Sequence, residues 1–187
     1  FVETKPTSGK YVQAVVGGTG DEVRVGGGGL LGIAAADNFC GVTEAGIAFS
    51  FSEAHVGISR QTEELCATVA HEIGHVLSLE HEILGKDTMS YVPISSSVTK
   101  SFVNAESQCG TEPGRTNACS CPITSGSNNT NSGKRLLEAL GARPTDNVAP
   151  TITIDSPKAN ATLGPSFPVT ATATDNMGVE SVALLIN

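Results

Sequence analysis

The chain has 187 residues, with 11 basic and 19 acidic side chains and a net charge of −8 at neutral pH. Hydrophobic residues make up 39% of it, which is sufficient for a hydrophobic core and excludes a wholly disordered chain. No apolar run approaches the roughly 18 residues that a transmembrane helix needs. The acidic balance excludes nucleic acid and anionic membranes as the main partners, because binding phosphates requires a basic surface.

Three segments in the first third of the chain have the apolar pattern of β-strands. They are residues 11–16, 30–36 and 46–52. In the third segment, Ile47, Phe49 and Phe51 alternate and share one face. The glycines at 26–29 follow no helix-opening pattern, so they predict a loop rather than a phosphate-binding turn.

A change to helical periodicity follows. Apolar residues recur at spacings of three and four between residues 59 and 77, which predicts a helix with Thr62 as its N-cap. Residues 91–131 show little regular pattern and are rich in Ser, Asn, Thr and Gly. A second, short helix is predicted over residues 134–140, stopped by Gly141.

The C-terminal part has a different organisation. Residues 143–150 read as a linker, and three strand-like runs follow it at residues 151–154, 169–174 and 179–186. This spacing suits a β-sandwich, and the segment resembles the start of bacterial Ig-like repeats, which serve as spacers or adhesion modules. We therefore predict two domains, over residues 1–145 and 146–187, the second truncated. Because the chain starts without Met, we also expect a segment upstream of it.

Five cysteines bear on the compartment in which the protein works. They include no CxxC pair, which argues against a Cys-rich zinc finger. Cys119 and Cys121 lie in a segment rich in Ser, Asn, Pro and Gly, which is typical of disulfide-linked loops outside the cytosol; buried reduced cysteines are the alternative. We expect a secreted protein with a Cys40–Cys66 bridge and with Cys109 bonded to Cys119 or Cys121. The odd count leaves one cysteine unpaired.

Residues 71–81, with the sequence HEIGHVLSLEH, contain three of the four histidines in the chain. His71 and His75 are one helical turn apart, so their imidazoles lie on one helix face about 6 Å apart along the axis. Two imidazoles in this arrangement can bind one zinc ion, at about 2.1 Å each. Glu72 lies about 100° round the helix, beside this pair, where it can reach a metal-bound water. Solvated helix histidines are the alternative interpretation.

His81 can join the same metal only if the helix stops after His75. On a continued helix it would point about 240° away from His75. We therefore expect the chain to turn back near Ser78. Glycine is the easiest residue at a left-handed stop, and serine there costs about 1 kcal/mol.

The segment resembles the zinc motif HExxHxxGxxH of metzincin metallopeptidases, with Ser78 in the glycine position. Residues 87–91, DTMSY, are similar to the metzincin Met-turn, in a form that resembles serralysins. Glu82, after the third histidine, resembles astacins. The short spacing from His81 to Met89 implies a separate secreted bacterial branch. The resemblance covers residues 11–141, and its specificity comes almost entirely from residues 71–91.

The resemblance implies an α+β, zincin-like metzincin fold with a twisted mixed sheet, an active-site helix and a C-terminal helix. It assigns His71, His75 and His81 as ligands of one catalytic Zn²⁺, Glu72 as general base and later proton donor, Met89 as an apolar floor, and Tyr91 as an extra ligand or hydrogen-bond donor. An edge strand, residues 30–36 or 46–52, would hold an extended peptide by β-augmentation, with Gly32, Ile33 and Ala34 as the contact segment.

The expected function is therefore that of a secreted, monomeric zinc endopeptidase that acts on protein or peptide substrates. Two other functions are open. One is a non-proteolytic, zinc-containing adhesion protein, and the other is a metallohydrolase acting on cell-wall peptides. His55 lies outside the motif, and we expect it to be structural or on the surface.

Overall fold

The computed structural model describes residues 11–24, 29–35, 40–124, 127–141 and 147–176, together with residues 4, 6, 7, 179 and 181–184. The chain divides into two units, Phe1–Ala142 and Arg143–Asn187. Within the described residues the fold is a mixed α+β arrangement of small sheets and two α-helices. The expected boundary at 145/146, residues 143–146 of the predicted linker and the glycines at 26–28 lie outside those residues.

A three-stranded sheet contains the strands predicted in the first third of the chain. Its members are β1 (Gln13–Val16), β2 (Gly32–Ala34) and β3 (Ile47–Ser50). The order is β1-β3-β2, with β1 parallel and β2 antiparallel to β3. Each strand is shorter than its predicted segment. Ala48 and Ser50 are buried while Ile47 is exposed, because these small side chains face the main helix.

The main helix, α1 (Gln61–Val76), carries the HExxH segment. Its N-cap is Arg60, in the left-handed conformation with φ of 57°, so the prediction that Thr62 is the N-cap was wrong. The Arg60 guanidinium instead pairs with Glu63 at 3.1 Å across the first turn. Glu63 and Glu64 lie in that first turn, where acidic side chains interact favourably with the helix dipole.

The helix ends where the sequence predicts a turn. Ser78 has φ of 66°, and the Leu79 amide donates to the Gly74 carbonyl at 2.9 Å. The Ser78 hydroxyl donates to the carbonyl of Gly41 in the segment before β3. This hydrogen bond offsets the cost of a side chain in left-handed backbone, and it explains how serine is accommodated at this point.

Two substitutions separate these opposing effects. Ser78→Ala keeps the strained Cβ and removes the hydroxyl, so it should lower the free energy of unfolding by about 1 kcal/mol. Ser78→Gly removes the hydroxyl but also the strain, so it should stay within about 0.5 kcal/mol of the wild type. Urea denaturation measures both, and equal stability of the two variants would contradict this account.

Short strands and disulfides organise the segment that lacks a sequence pattern. The strands are β4 (Ser107–Gln108), β5 (Gly110–Glu112), β6 (Arg115–Thr116) and β7 (Asn129–Thr130). The disulfides are Cys40–Cys121 and Cys109–Cys119, and Cys66 is the free cysteine. The predicted Cys40–Cys66 bridge was therefore wrong. Cys66 lies on the exposed side of α1, whereas the Cys40 and Cys121 Cα atoms are 5.4 Å apart.

The second helix, α2 (Ser132–Leu140), confirms the short helix predicted before Gly141. The Asn131 side chain caps it by accepting a hydrogen bond from the Lys134 amide at 2.8 Å. A hydrophobic core of Leu77, Leu79 and Met89 packs with partly buried residues that include Ile73, Phe102 and Leu136. The core thus joins α2 to the end of α1 and to the turn around Met89.

The second unit contains an antiparallel pair, β8 (Thr151–Ser156) and β9 (Thr170–Thr174). These strands match the first two predicted C-terminal runs. In the third run, residues 179 and 181–184 form no strand, and the rest lies outside the described residues. No helix in the described part of the chain is long and apolar enough to cross a bilayer.

Candidate metal centre

Three imidazoles converge on one point. His71 and His75 project from α1, and the turn at Ser78 brings His81 back against them. The three Nε2 atoms are separated by 3.1 Å, 3.1 Å and 2.9 Å for the pairs 71–75, 71–81 and 75–81. Histidines that are ten residues apart in the sequence thus present three ring nitrogens to a common centre.

Backbone carbonyls set the orientation of two of the rings. His71 Nδ1–H donates to the Thr88 carbonyl at 2.8 Å, and His75 Nδ1–H donates to the Leu79 carbonyl at 2.9 Å. Since a carbonyl only accepts, each Nδ1 carries the proton and each Nε2 presents a lone pair to the centre. Metal-binding histidines are commonly held in this way.

The imidazoles are neutral at pH 7. Burial, with the charge of the neighbouring His75, lowers the pKa of His71 to about 3 and that of His81 to about 4. Burial also lowers the pKa of His75. Two unprotonated Nε2 atoms 3.1 Å apart repel each other, and a cation between them removes this repulsion. The donor set therefore fits one divalent cation that prefers imidazole nitrogen, such as Zn²⁺.

Glu72 lies beside the histidines and is only 6% exposed. It packs against β2 at a point where no side chain fits: a Cβ added to Gly32 would lie 2.7 Å from Cγ and Oε1 of Glu72. Burial raises the pKa of Glu72 to about 7. A carboxyl group with this pKa can both take up and release a proton near neutral pH.

Met89 packs against the helix that carries His71 and His75. Its side chain is fully buried, and a Cβ added to Gly74 would lie 2.6 Å from the Met89 sulfur. Gly74 therefore allows the thioether to lie directly against α1, next to His75.

Two charged residues that the sequence did not single out hold the turn over residues 87–91. The Asp87 carboxylate accepts from the Met89 amide at 2.7 Å, the Val103 amide at 2.7 Å and the Ser132 hydroxyl at 2.5 Å. Lys100 Nζ donates to the carbonyls of Gly85, Asp87 and Ser90 at 2.9, 3.0 and 2.7 Å. Together they bind the amide and carbonyl sides of the turn.

Tyr91 ends this turn, and the residue is 57% exposed. The ring centroid lies 4.6 Å from that of His81 and 5.7 Å from that of His71. Burial and the charge of Glu72 raise the pKa of Tyr91, so its phenol is protonated at neutral pH. The phenol is therefore available as a hydrogen-bond donor near the histidines.

A cavity of about 310 Å³ adjoins the site, between β2, α1 and residues 88–92. All three residues of the predicted contact segment, Gly32, Ile33 and Ala34, are paired with β3, and Gly32 also lines this cavity. Gly29, Leu30 and Leu31 also line it. Leu30 and Leu31 lie in the segment 30–36 that was predicted as a candidate substrate-holding strand, and Gly29 lies in the predicted glycine loop.

Polar contacts next to His81 connect the site to the disulfide-bonded segment. The Glu80 carboxylate accepts from the Ser120 amide at 2.6 Å and the Cys121 amide at 2.7 Å. Glu82 is fully buried, and its amide donates to the Met89 carbonyl at 3.2 Å. Burial and the nearby Asp87 raise the pKa of Glu82 to about 8.

His55 lies apart from the three converging histidines. It is completely buried, with Nδ1 2.8 Å from the Phe51 carbonyl oxygen and Nε2 2.9 Å from the Thr68 hydroxyl. These contacts join the 3-10 turn Ser52–His55 to α1, which is a structural role.

Comparison with known protein families matches residues 150–187 to the bacterial Ig domain family. No curated protein and no solved structure matches the chain. The Ig match and the two disulfides are compatible with an extracellular location.

Proposed function

We propose that the chain is a secreted zinc metalloendopeptidase with a metzincin-type catalytic domain followed by an Ig-like domain. The observation that carries this proposal is the convergence of three neutral imidazoles, 2.9–3.1 Å apart at Nε2, beside a buried glutamate. The metzincin resemblance of residues 71–91 supports the same reaction. A helix, a left-handed turn and a methionine-containing turn are the parts that this resemblance implies.

His71, His75 and His81 would hold the metal, with the Thr88 and Leu79 carbonyls fixing two of the rings. Bound zinc would supply a Lewis acid that polarises the scissile carbonyl and promotes loss of a proton from water.

Glu72 moves the proton in this proposal. Its pKa of about 7, raised by burial, allows the carboxylate to take a proton from the attacking water and to return it to the leaving amine. The close approach of Gly32 limits the movement of the side chain. The Tyr91 phenol would donate a hydrogen bond to the oxygen on which negative charge develops.

The peptide would bind in extended form along β2. Among the strands that the structure describes, β2 pairs with β3 alone, and its Gly32 borders Glu72. An added strand on the free edge would bring its backbone to the catalytic glutamate. The match of residues 150–187 favours a spacer or adhesion role for the Ig-like domain alongside this enzyme.

Buried Glu72 favours hydrolysis over zinc binding alone. A protein that used zinc only as a scaffold would have no need of a glutamate buried beside the histidines, where burial opposes its charge. Cleavage of casein as compared with cell-wall peptides distinguishes an endopeptidase from a wall hydrolase.

Metal removal tests the proposal directly. We expect one zinc per chain by elemental analysis, loss of casein cleavage after treatment with 1,10-phenanthroline, and recovery with added zinc. His81→Ala should weaken zinc binding by more than about 100-fold. Even the loss of a residue that only hydrogen-bonds to a metal ligand typically lowers metal affinity by about 10–100-fold, and His81 is itself a proposed ligand. His55→Gln is the matched control and should keep its zinc. Undiminished cleavage by metal-free protein would overturn the proposal.

A further inference from the structure

The cavity beside Glu72 extends along α1 away from the histidines. Glu64, Thr68 and Glu72 all line it. Glu64 precedes Glu72 by about two helical turns, or roughly 12 Å along the axis, and lies about 80° round the helix from it. At about 310 Å³ the cavity is at the small end for ligand pockets, which suits one side chain. A short side chain entering beside Glu72 would leave Glu64 without contact.

Glu64 presents an acceptor at the far part of this cavity. Its Oε1 accepts from the Ile94 amide at 2.6 Å, and no other described residue donates to the carboxylate. The nearest basic residue on the same helix turn, Arg60, pairs with Glu63 instead. Oε2 of Glu64 therefore remains available to a donor from a ligand.

Lys100 also lines the cavity, but its hydrogen-bonding capacity is used. Its three N–H groups donate to the carbonyls of Gly85, Asp87 and Ser90 at 2.7–3.0 Å. It has no donor left for an acidic side chain, so its charge acts on the nearby Glu64 without a hydrogen bond to that carboxylate. Glu64 is consequently the group at this end of the cavity that can form a new hydrogen bond.

We propose that the cavity binds a long basic side chain, Arg or Lys, of a residue next to the scissile bond, with Glu64 as its recognition group. Leu30, Leu31 and Val92 line the cavity and would pack against the aliphatic stem. This proposal rests on the proposed function. To the proposed peptidase activity it adds a preference for substrates with Arg or Lys next to the scissile bond. A site that hydrogen-bonds one chemical group discriminates strongly against side chains that lack this group.

The test uses peptides with one fixed cleavable bond and one varied residue, which is Arg, Lys, Leu or Glu. The varied residue precedes the bond in one series of four peptides and follows it in the other. The zinc-loaded wild type should cleave the Arg and Lys peptides at one position with kcat/KM about tenfold or more above Leu, as a charged hydrogen bond allows. Glu64→Gln keeps an acceptor for the Ile94 amide but loses the charge, so this preference should disappear. Glu63→Gln, on the same turn, should keep it.

Binding of the same peptides, measured by fluorescence anisotropy, separates this proposal from the proposed function. Cleavage with a preference for Leu or Glu, or with an Arg preference that survives Glu64→Gln, would contradict recognition of a basic side chain by Glu64. The proposed peptidase activity would still stand. No cleavage, but tighter Arg-peptide binding that depends on Glu64, overturns the peptidase and supports the pocket. Absence of both overturns both. Circular dichroism shows whether each variant is folded.

Discussion

Replacement of Glu72 by glutamine is expected to lower kcat on a peptide substrate by roughly 10²–10⁴-fold, the usual contribution of general acid–base catalysis. Glutamine has nearly the same shape, so it can occupy the space beside Gly32 without a clash. It cannot take up or deliver a proton at neutral pH. Zinc content should be unchanged, because the proposed ligands are the three converging histidines and Glu72 is not one of them.

Kinetics with a quenched fluorescent peptide, together with elemental analysis of the same samples, measure both quantities. Glu53→Gln, an exposed glutamate in a 3-10 turn, is the control and should match the wild type. Activity of Glu72→Gln within tenfold of the wild type would exclude Glu72 as the proton carrier. Loss of zinc in this variant would instead indicate that the carboxylate helps to hold the metal.

Replacement of Asp87 by alanine should lower the free energy of unfolding of the N-terminal unit by about 3–5 kcal/mol. The carboxylate is fully buried and accepts hydrogen bonds from Met89, Val103 and Ser132. Alanine leaves the Met89 amide and the Ser132 hydroxyl without their acceptor, at about 1–3 kcal/mol each, while the Val103 amide keeps the Ser132 hydroxyl oxygen at 3.1 Å. Since the turn over residues 87–91 contains Met89 and Tyr91, zinc affinity and activity should fall as well.

Ellipticity at 222 nm during urea unfolding reports on α1 and α2, and therefore on the unit that contains Asp87. Ser132→Ala removes one of the three donors and leaves the carboxylate in place, so it should cost less, about 1 kcal/mol. If Asp87→Ala proved no more destabilising than Ser132→Ala, the carboxylate would not be what holds the turn.

Local patterns in the sequence predict α1 and the turn after it well. The apolar stripe follows a helical period whatever the rest of the fold does. The need to bring His81 back toward His75 predicts a stop near Ser78, and the structure has φ of 66° there. The hydrogen bond from Ser78 to Gly41 was not predictable, because it joins residues 37 apart.

Features that depend on distant parts of the chain were missed or wrong. Cys66 looked suitable for a bridge because it starts a helix near a strand, but only the folded chain shows that it faces solvent. Lys100 lies in a segment with no periodicity, so nothing in the sequence connects its ammonium group to the carbonyls of the turn. Strand lengths were overestimated because the apolar runs continue past the regular ladder, where single backbone hydrogen bonds such as Phe51 amide to Leu31 carbonyl remain.

The Cys40–Cys121 bond closes a covalent loop that contains the whole HEIGHVLSLEH segment, the turn at residues 87–91 and the smaller loop closed by Cys109–Cys119. A single backbone cut between residues 41 and 120 therefore cannot release a fragment from the N-terminal unit. Each side of the cut would remain covalently attached to the unit at one end, so the proposed zinc ligands would stay in one molecule and refolding around them would stay intramolecular. If the chain is the extracellular peptidase proposed above, nicks made by its own activity would leave the molecule in one piece until a reductant reached it.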